Sequence, residues 1–160
     1  MNLAATAPAW LALLFAILLL VAAAEDCWRM RISNLTVVAI LGGAAAAAIV
    51  AGPTLVLWQN LAIFVALLAI GTVLFASGRL GGGDVKLLAA SGAWFNLSGG
   101  MLMLLWTVLA GGVLALLILL LRTIGWSDRA RNRIAILKRG AGIPYGVAIA
   151  AGGLIASSLV

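Results

Sequence analysis

The chain contains no histidine, a single cysteine and only four acidic residues among its 160 residues. Without histidine, a Ser-His-Asp triad and a Cys-His nucleophile pair are excluded, because both need an imidazole base. A histidine- or cysteine-based metal site and a disulfide framework are also disfavoured, since Cys27 has no second thiol in the chain. We therefore expect no metal and no cofactor. The chemistry rests on the four carboxylates, which are Glu25, Asp26, Asp84 and Asp128.

Apolar residues make up 66% of the chain, and the mean hydropathy is +1.26. Long uncharged runs cover residues 1–24, 35–78, 87–121 and 141–160. A membrane-spanning helix needs roughly 20 such residues, so these runs predict about six spans and leave little chain for a soluble domain. We predict an all-α, polytopic integral membrane protein in which residues 1–160 form a single domain.

Helix-breaking residues divide the two longest runs. Gly52-Pro53 interrupts one of them, because proline lacks the N–H that a helix needs, and residues 96–100 interrupt the other. The predicted spans are 7–24, 35–52, 55–77, 84–97, 101–121 and 143–160, of which the fourth is short. Residues 22–24 resemble a signal-peptide cleavage site, but residues 1–9 carry no Lys or Arg, so we expect the first span to be retained.

All ten basic residues fall on one side of this arrangement. They follow the first span, the third span and the fifth span, and they are Arg29, Arg31, Arg79, Lys86, Arg122, Arg129, Arg131, Arg133, Lys138 and Arg139. By the positive-inside rule that side is cytoplasmic, and both termini then lie outside. The net charge of +6 is explained by this topology, so no nucleic-acid partner is expected.

The segment Gly81-Gly82-Gly83-Asp84 sets a carboxylate beside long apolar runs, which makes Asp84 a functional-site hypothesis. Asp84 could instead be the N-cap of the fourth span, with the glycines forming only the turn before it. On the functional interpretation, glycines let the backbone take positive φ and let a substrate backbone approach the carboxylate. Lys86 could tune this site or extend its amine to the membrane interface.

Asp26 ends the first span beside Glu25. The helix dipole disfavours a negative charge there, unless Arg29 and Arg31 neutralise it as a paired interfacial acid. The two adjacent acids point about 100° apart on a helix, so one shared role is not expected. The span count puts Asp26 and Asp84 at the same membrane boundary, where the two carboxylates could meet. Such a pair shares a proton and suits peptide hydrolysis, because one carboxylate activates water while the protonated one polarises the carbonyl.

Three segments of the chain resemble the prepilin peptidases, which are two-aspartate membrane proteases with a Gly-x-Gly-Asp motif. Residues 81–90 (GGGDVKLLAA) look very like the family's second-aspartate segment. Asp26, Arg29 and residues 31–34 (RISN) resemble the first-aspartate segment, and residues 143–150 (IPYGVAIA) match the ending of the small members. The three motifs occur in the family's order and span nearly the whole chain.

The resemblance implies an aspartic endopeptidase of the bacterial inner membrane, with Asp26 and Asp84 as its catalytic pair. Gly81, Gly83 and Lys86 would belong to the substrate-binding motif. The implied substrates are type IV prepilins, whose basic leader is cut at the cytoplasmic face before a hydrophobic helix. The expected partners are therefore the prepilin and the lipid bilayer.

The chain also departs from the family pattern. Ser33 stands where the family usually has proline, which predicts a looser loop after the first span. The N-terminal cytoplasmic region with Cys-x-x-Cys motifs, found in larger members that also methylate the new N-terminus, has no counterpart here. The chain resembles the small class that serves Flp (tight-adherence) pili, and we expect cleavage without methylation.

Other features leave alternatives open. The basic loop 122–139 could anchor on anionic lipid or contact an acidic surface of the pilus-assembly machinery. A non-enzymatic carrier or assembly subunit could use the same acids to bind an ion or a partner. An aromatic belt is predicted from Trp10, Trp28, Trp58, Trp94, Trp126 and Tyr145. Close helix packing is predicted at Gly42-Gly43 and Gly111-Gly112.

Overall fold

The computed structural model describes residues 1–52, 54–124 and 142–160. Within these ranges all regular secondary structure is helical, which confirms the all-α fold class. The helices are α1 (Leu3–Thr6), α2 (Ala9–Arg29), α3 (Asn34–Ala51), α4 (Trp58–Ala76), α5 (Gly82–Gly92), α6 (Leu97–Thr123) and α7 (Tyr145–Leu159), with a 3₁₀ turn at Leu55–Leu57 before α4.

Four of the described helices, α2, α3, α4 and α6, are long and apolar enough to cross a membrane. Helix α7 is apolar but has 15 residues, and α5 has only 11. At about 1.5 Å per residue, α5 is about 16 Å long and cannot cross a hydrocarbon core of about 30 Å by itself. The total of six spans and the outside location of both termini therefore stay predictions.

The outer surfaces of the long helices are apolar. Leu61 and Val65 on α4 and Val108 on α6 are each more than half exposed, and many further large apolar side chains share this exposure. Soluble proteins rarely expose a continuous apolar surface, whereas in a bilayer such a surface contacts acyl chains. The surface, like the helix lengths, is that of a membrane protein.

Helix boundaries follow the predicted spans closely at α3, α4 and α7 and differ at α2, α5 and α6; α5 ends at Gly92 rather than at residue 97. Helix α2 continues beyond residue 24 to Arg29, so Glu25 and Asp26 lie inside its last turns. Helix α6 begins at Leu97, because the Asn96 side chain accepts a hydrogen bond of 2.9 Å from the Gly99 N–H and caps the helix. Gly99 and Gly100 therefore lie in the first turn of α6, and the predicted break at 96–100 is wrong for them.

The core of the bundle is centred on Trp94, just beyond the C-terminal end of α5. Its ring stacks on Phe15 of α2 with 4.4 Å between centroids, and its indole N–H donates to the Ile40 carbonyl of α3 at 2.9 Å. The aromatic-belt prediction is wrong for Trp94, which is fully buried inside the protein, whereas Trp28 is 83% exposed. The Trp94 indole therefore belongs to the contacts that hold the core together and not to the membrane interface.

Glycine packing is confirmed at only part of the predicted positions. A Cβ on Gly43 would lie 2.8 Å from the Trp94 indole, so the close approach of α3 needs a glycine there. A Cβ on Gly111 would lie 3.5 Å from the Ala148 Cβ of α7, within ordinary contact, so Gly111 faces α7 without needing to be a glycine. Gly42 and Gly112 face open space with no atom within 4 Å, so the packing prediction is wrong for them.

Helix α1 and one buried amide fix the far end of α5. The Ala4 N–H donates to the Trp94 carbonyl at 3.1 Å, and Leu3 beside it is buried. The buried Asn60 side chain of α4 donates to the Ala93 carbonyl at 3.0 Å. These bonds satisfy carbonyls at the end of α5 that the helix itself leaves unpaired, so the C-terminal end of α5 is held from two sides.

Candidate active site

The end of α2, the segment that follows it and the first turn of α5 enclose a pocket of about 250 Å³. Its lining residues are Asp26, Met30, Arg31, Ile32, Gly81, Gly82, Gly83 and Asp84. The structure thus brings Asp26 and Asp84, far apart in sequence, to one pocket, as their predicted position at a common membrane boundary allows. Their catalytic use stays a prediction.

A tight turn after α2 shapes one wall of the pocket. Met30 adopts the left-handed conformation at φ 51°, and its N–H donates to the Asp26 carbonyl at 2.9 Å. Three residues later Ser33 is the N-cap of α3, and its hydroxyl accepts from the Leu35 N–H at 3.1 Å. Because one helix ends and the next begins within four residues, Ile32 is directed into the pocket.

Asp26 is 5% exposed, and its carboxylate has a defined partner on another helix. The Gly146 N–H, in the first turn of α7, donates to Asp26 Oδ2 at 2.7 Å. The first amides of a helix have no partner within it, and they carry the positive end of its dipole. The N-cap of α7 is Pro144, which makes no side-chain cap, so the carboxylate of α2 fills that role.

Asp84 lies in the first turn of α5, but it is not the N-cap. That position belongs to Gly81, which lies close to the Asp84 carboxylate, since a Cβ on Gly81 would lie 2.7 Å from Asp84 Oδ2. The N-cap interpretation is therefore wrong in detail, since the carboxylate reaches back to the cap residue from within the turn, as the acid of a capping box does. Each aspartate of the pocket thus lies against a glycine at the start of a helix, Gly146 for Asp26 and Gly81 for Asp84.

The glycines before Asp84 serve close approach rather than unusual dihedral angles. Among the described residues, the glycines with positive φ are Gly52 and Gly78, so the expectation of positive φ in the segment 81–83 is wrong. A Cβ on Gly81 would lie 2.7 Å from Asp84 Oδ2, which would displace the carboxylate. A Cβ on Gly83 would lie 3.4 Å from the Ile32 Cβ, within ordinary contact. Gly81 is therefore the glycine that the local geometry requires.

Glu25 faces away from the pocket toward the start of α3. Its Oε2 accepts from the Ser33 N–H and from the Thr36 hydroxyl, each at 3.0 Å. The two adjacent acids thus have separate partners, as their angular separation on the helix predicts. The predicted loosening at Ser33 is wrong, because this residue uses an N–H that proline lacks to bind the end of α2.

Lys86 does not line the pocket of the two aspartates. Its exposed amine donates to Asn34 Oδ1 at 3.0 Å and so joins α5 to the start of α3. Both residues belong to the segments that carry the family resemblance. The bond is a structural link, and a role of Lys86 in substrate binding stays a prediction.

Cations and candidate metal ligands are sparse around the carboxylates. No Lys or Arg among the described residues forms a salt bridge with Asp26, although Arg31 lines the same pocket. The interpretation of Asp26 as an acid paired with Arg29 or Arg31 is therefore not supported. The described part of the chain contains no group of three or more His, Cys, Asp or Glu side chains that could hold a metal ion.

Two residues of this region had no assigned role in the sequence. Gly146 lies in the segment 143–150, which was noted for its family resemblance, and Ile32 lies between the pocket and α7. No pattern in the sequence predicts that α7 contacts α2 at the Asp26 carboxylate. The basic loop, with Trp126, Asp128 and all its cations from Arg129 to Arg139, falls outside the described residues; Arg122 before it donates to the Gly142 carbonyl at 3.3 Å.

Comparison with known proteins gives one match. The sequence pattern of the type IV leader peptidase family matches residues 13–116, which is more than half of the chain. Both aspartates of the pocket lie inside the matched range. Searches of curated proteins and of solved structures returned no match.

Proposed function

Because the chain belongs to the type IV leader peptidase family, a family of proteases, we propose that it is an aspartic endopeptidase that cleaves the basic leader of type IV prepilins. Asp26 and Asp84 are the proposed catalytic pair. The supporting observation is that these two carboxylates, from separate helices, line one pocket together with glycine backbone. Two carboxylates on one small pocket suit the activation of water against a peptide carbonyl.

The proposed reaction needs only the pair and a water molecule. The ionised carboxylate accepts a proton from water, and the water oxygen bonds to the scissile carbonyl carbon. The protonated carboxyl group donates its hydrogen bond, and then its proton, to the carbonyl oxygen. Collapse of the tetrahedral intermediate breaks the C–N bond, and the departing amine takes up a proton from the pair. The products are a carboxylic acid and an amine, and one water molecule is consumed.

The surroundings of the pocket support a substrate that combines a peptide with a membrane helix. The pocket lies at the end of α2, beside the positively charged Arg29 and Arg31, and the positive-inside rule assigns this side to the cytoplasm. A prepilin enters from the bilayer with its leader in the cytoplasm, so its scissile bond reaches the pocket at the interface. We propose a multi-pass location in the bacterial inner membrane and a substrate of the Flp class, cut without methylation.

The second candidate is a non-enzymatic carrier or a pilus-assembly subunit that uses the same acids for ion or partner binding. A carrier would place ionisable groups along a path through the bilayer. Here the acids cluster at one boundary, and the middle of each long helix is uncharged. This placement favours the peptidase over the carrier, and a functional assay separates it from the assembly subunit.

The test is a cleavage assay in membranes. The chain is co-expressed with a Flp-type prepilin, and precursor and mature bands are compared on a gel. Wild type, Asp26→Asn, Asp84→Asn and the matched control Glu25→Gln are examined at equal membrane levels. We expect cleavage by wild type and Glu25→Gln only. Cleavage that persists in either Asp variant contradicts the two-aspartate mechanism, and no cleavage by wild type against several prepilins favours the assembly subunit.

A further inference from the structure

Gly146 contacts Asp26 both through a hydrogen bond and through close packing, and neither contact has a role in the reaction proposed above. Its N–H donates to Asp26 Oδ2 at 2.7 Å across 120 positions of sequence. A Cβ at this residue would lie 2.9 Å from both the Cβ and Oδ2 of Asp26, and 3.1 Å from Ile32 Cδ1. The start of α7 therefore touches the proposed catalytic carboxylate with its backbone, and nothing larger than a hydrogen fits between them.

We propose that Gly146 is a positioning residue for this active site: its N–H holds the Asp26 carboxylate in the pocket, and its missing Cβ leaves the space that the carboxylate occupies. The inference rests on the proposed function of Asp26 and Asp84. It assigns a task to the C-terminal helix, which lies beyond the matched range 13–116.

The hydrogen bond is well suited to fixing a side chain. An aspartate has two rotatable side-chain bonds, and the backbone groups that the C-terminal end of α2 leaves unpaired are carbonyls, which cannot donate to a carboxylate. A charge-assisted bond of this length to a helix-start amide stabilises one orientation of the carboxylate. The donor belongs to the backbone of a packed helix and cannot rotate away. Catalysis gains from such fixed geometry, because a displacement of about 1 Å can reduce the rate about 100-fold.

Glycine is required at this position for steric rather than conformational reasons. Gly146 does not have the positive φ that would itself exclude other residues. Alanine could therefore adopt the same backbone, and its effect would come from the contacts alone. The nearest of these is the Cβ of Asp26, which is fixed to the α2 backbone and cannot swing aside, so either the carboxylate or α7 must move.

The first test is steady-state cleavage of a Flp-type prepilin by the purified full-length protein in detergent. For Gly146→Ala we expect kcat to fall about 100-fold while KM stays within about threefold of wild type. The matched control is Gly42→Ala, on a helix face where no atom lies within 4 Å. Equal kcat in wild type and Gly146→Ala would overturn the proposal, as would a loss that appears only in KM.

A second variant separates positioning from simple crowding. Ile32→Val removes the Cδ1 atom that a Cβ at position 146 would meet at 3.1 Å, but it leaves the Asp26 contact unchanged. We expect the double variant Ile32→Val/Gly146→Ala to remain about as slow, relative to Ile32→Val alone, as Gly146→Ala is relative to wild type. Recovery of kcat in the double variant would show that the loss in Gly146→Ala comes from a clash with Ile32. It would overturn the proposal that the contact of Gly146 with Asp26 is responsible.

A third measurement does not depend on activity or on the folding of Gly146→Ala. Hydrogen exchange of the Gly146 amide is compared in wild type, Asp26→Ala and Glu25→Gln. Amides in the first turn of a helix exchange readily unless a partner accepts from them. We expect protection in wild type and Glu25→Gln and faster exchange in Asp26→Ala; unchanged exchange in Asp26→Ala would refute the contact. If wild type cleaves no prepilin, the proposed function fails, and this result still decides whether Gly146 holds Asp26.

Discussion

The two ends of α5 are built in opposite ways. At its N-terminal end, Gly81 and Asp84 border a pocket, and the glycine segment leaves backbone accessible. At its C-terminal end, Ala89–Phe95 are buried without interruption, Trp94 stacks on Phe15, and Asn60 and α1 bind the last carbonyls. One end is open and carries a carboxylate, and the other is closed and carries aromatic rings.

This difference explains how a helix too short to cross the membrane can hold a functional group in place. The proposed role of Asp84 needs a rigid support, because a mobile carboxylate would lose the geometry that the proposed reaction requires. The buried end supplies that support through dense packing and satisfied polar groups. Substitutions at the closed end should therefore mainly lower stability, and substitutions at the open end should mainly lower the rate of cleavage.

The largest expected effect concerns cleavage at the open end. Asp84→Asn keeps the shape of the side chain but removes its ability to exchange a proton. Loss of one acid–base group typically reduces the rate about 10²–10⁴-fold. We expect prepilin cleavage to fall by at least about 1,000-fold, with no decrease in the melting temperature measured in detergent. A decrease in melting temperature equal to that of a core variant would contradict the separation of the two ends.

The next largest effect concerns stability at the closed end. Trp94→Ala removes the stack on Phe15 and the donor to the Ile40 carbonyl. Truncation of a buried tryptophan costs about 3–5 kcal/mol, which is a large share of the stability of a small domain. We expect a large decrease in the melting temperature in detergent, with cleavage reduced only as far as folded protein is lost. Trp58→Ala, at a side chain that is 59% exposed, is the matched control and should change little.

A smaller effect is expected from the acid next to Asp26. Glu25→Ala leaves the Ser33 N–H and the buried Thr36 hydroxyl without their common acceptor. Leaving buried polar groups unpaired costs about 1–3 kcal/mol. We expect a moderate decrease in melting temperature and cleavage per folded molecule close to wild type. Glu25→Gln retains an acceptor oxygen and should be nearly neutral, and a loss of cleavage in Glu25→Gln would show that the two adjacent acids do share a task.

The sequence predicts the open end of α5 better than the closed one. Asp26 and Asp84 stand out because charge is rare in this chain, and the span count places both at one membrane boundary, where the two carboxylates could meet. Trp94 was misplaced in an aromatic belt, because its position near a predicted span end is the same whether the ring faces lipid or the core. Only the packing of α2, α3 and α5 around it decides between the two.

The contact of Gly146 with Asp26 could not be predicted for a related reason. Glycine at a helix start is ordinary in a sequence, and its meaning depends on which residue of another helix lies opposite. The pattern of apolar runs predicts where helices lie along the chain, but membrane helices expose apolar residues on every side. Hydrophobic periodicity therefore does not say which faces pair, and the long-range partners come from the structure alone.

The smallest expected effect concerns Lys86, which lies near the N-terminal end of α5 but does not line the pocket of the two aspartates. A typical intramolecular hydrogen bond contributes about 0.5–1.5 kcal/mol, and the bond of Lys86 to Asn34 should contribute no more than this, because it is exposed to solvent. For Lys86→Met we expect a small decrease in melting temperature and cleavage within about threefold of wild type, because no atom of the aspartate pocket is removed. The matched variant Asn34→Ala breaks the same bond from the other side and should give the same decrease. The contrary result is a reduction in cleavage of more than about tenfold in Lys86→Met but not in Asn34→Ala. It would show that the lysine amine binds the substrate, because the two variants lose the same hydrogen bond and only Lys86→Met also loses the charge.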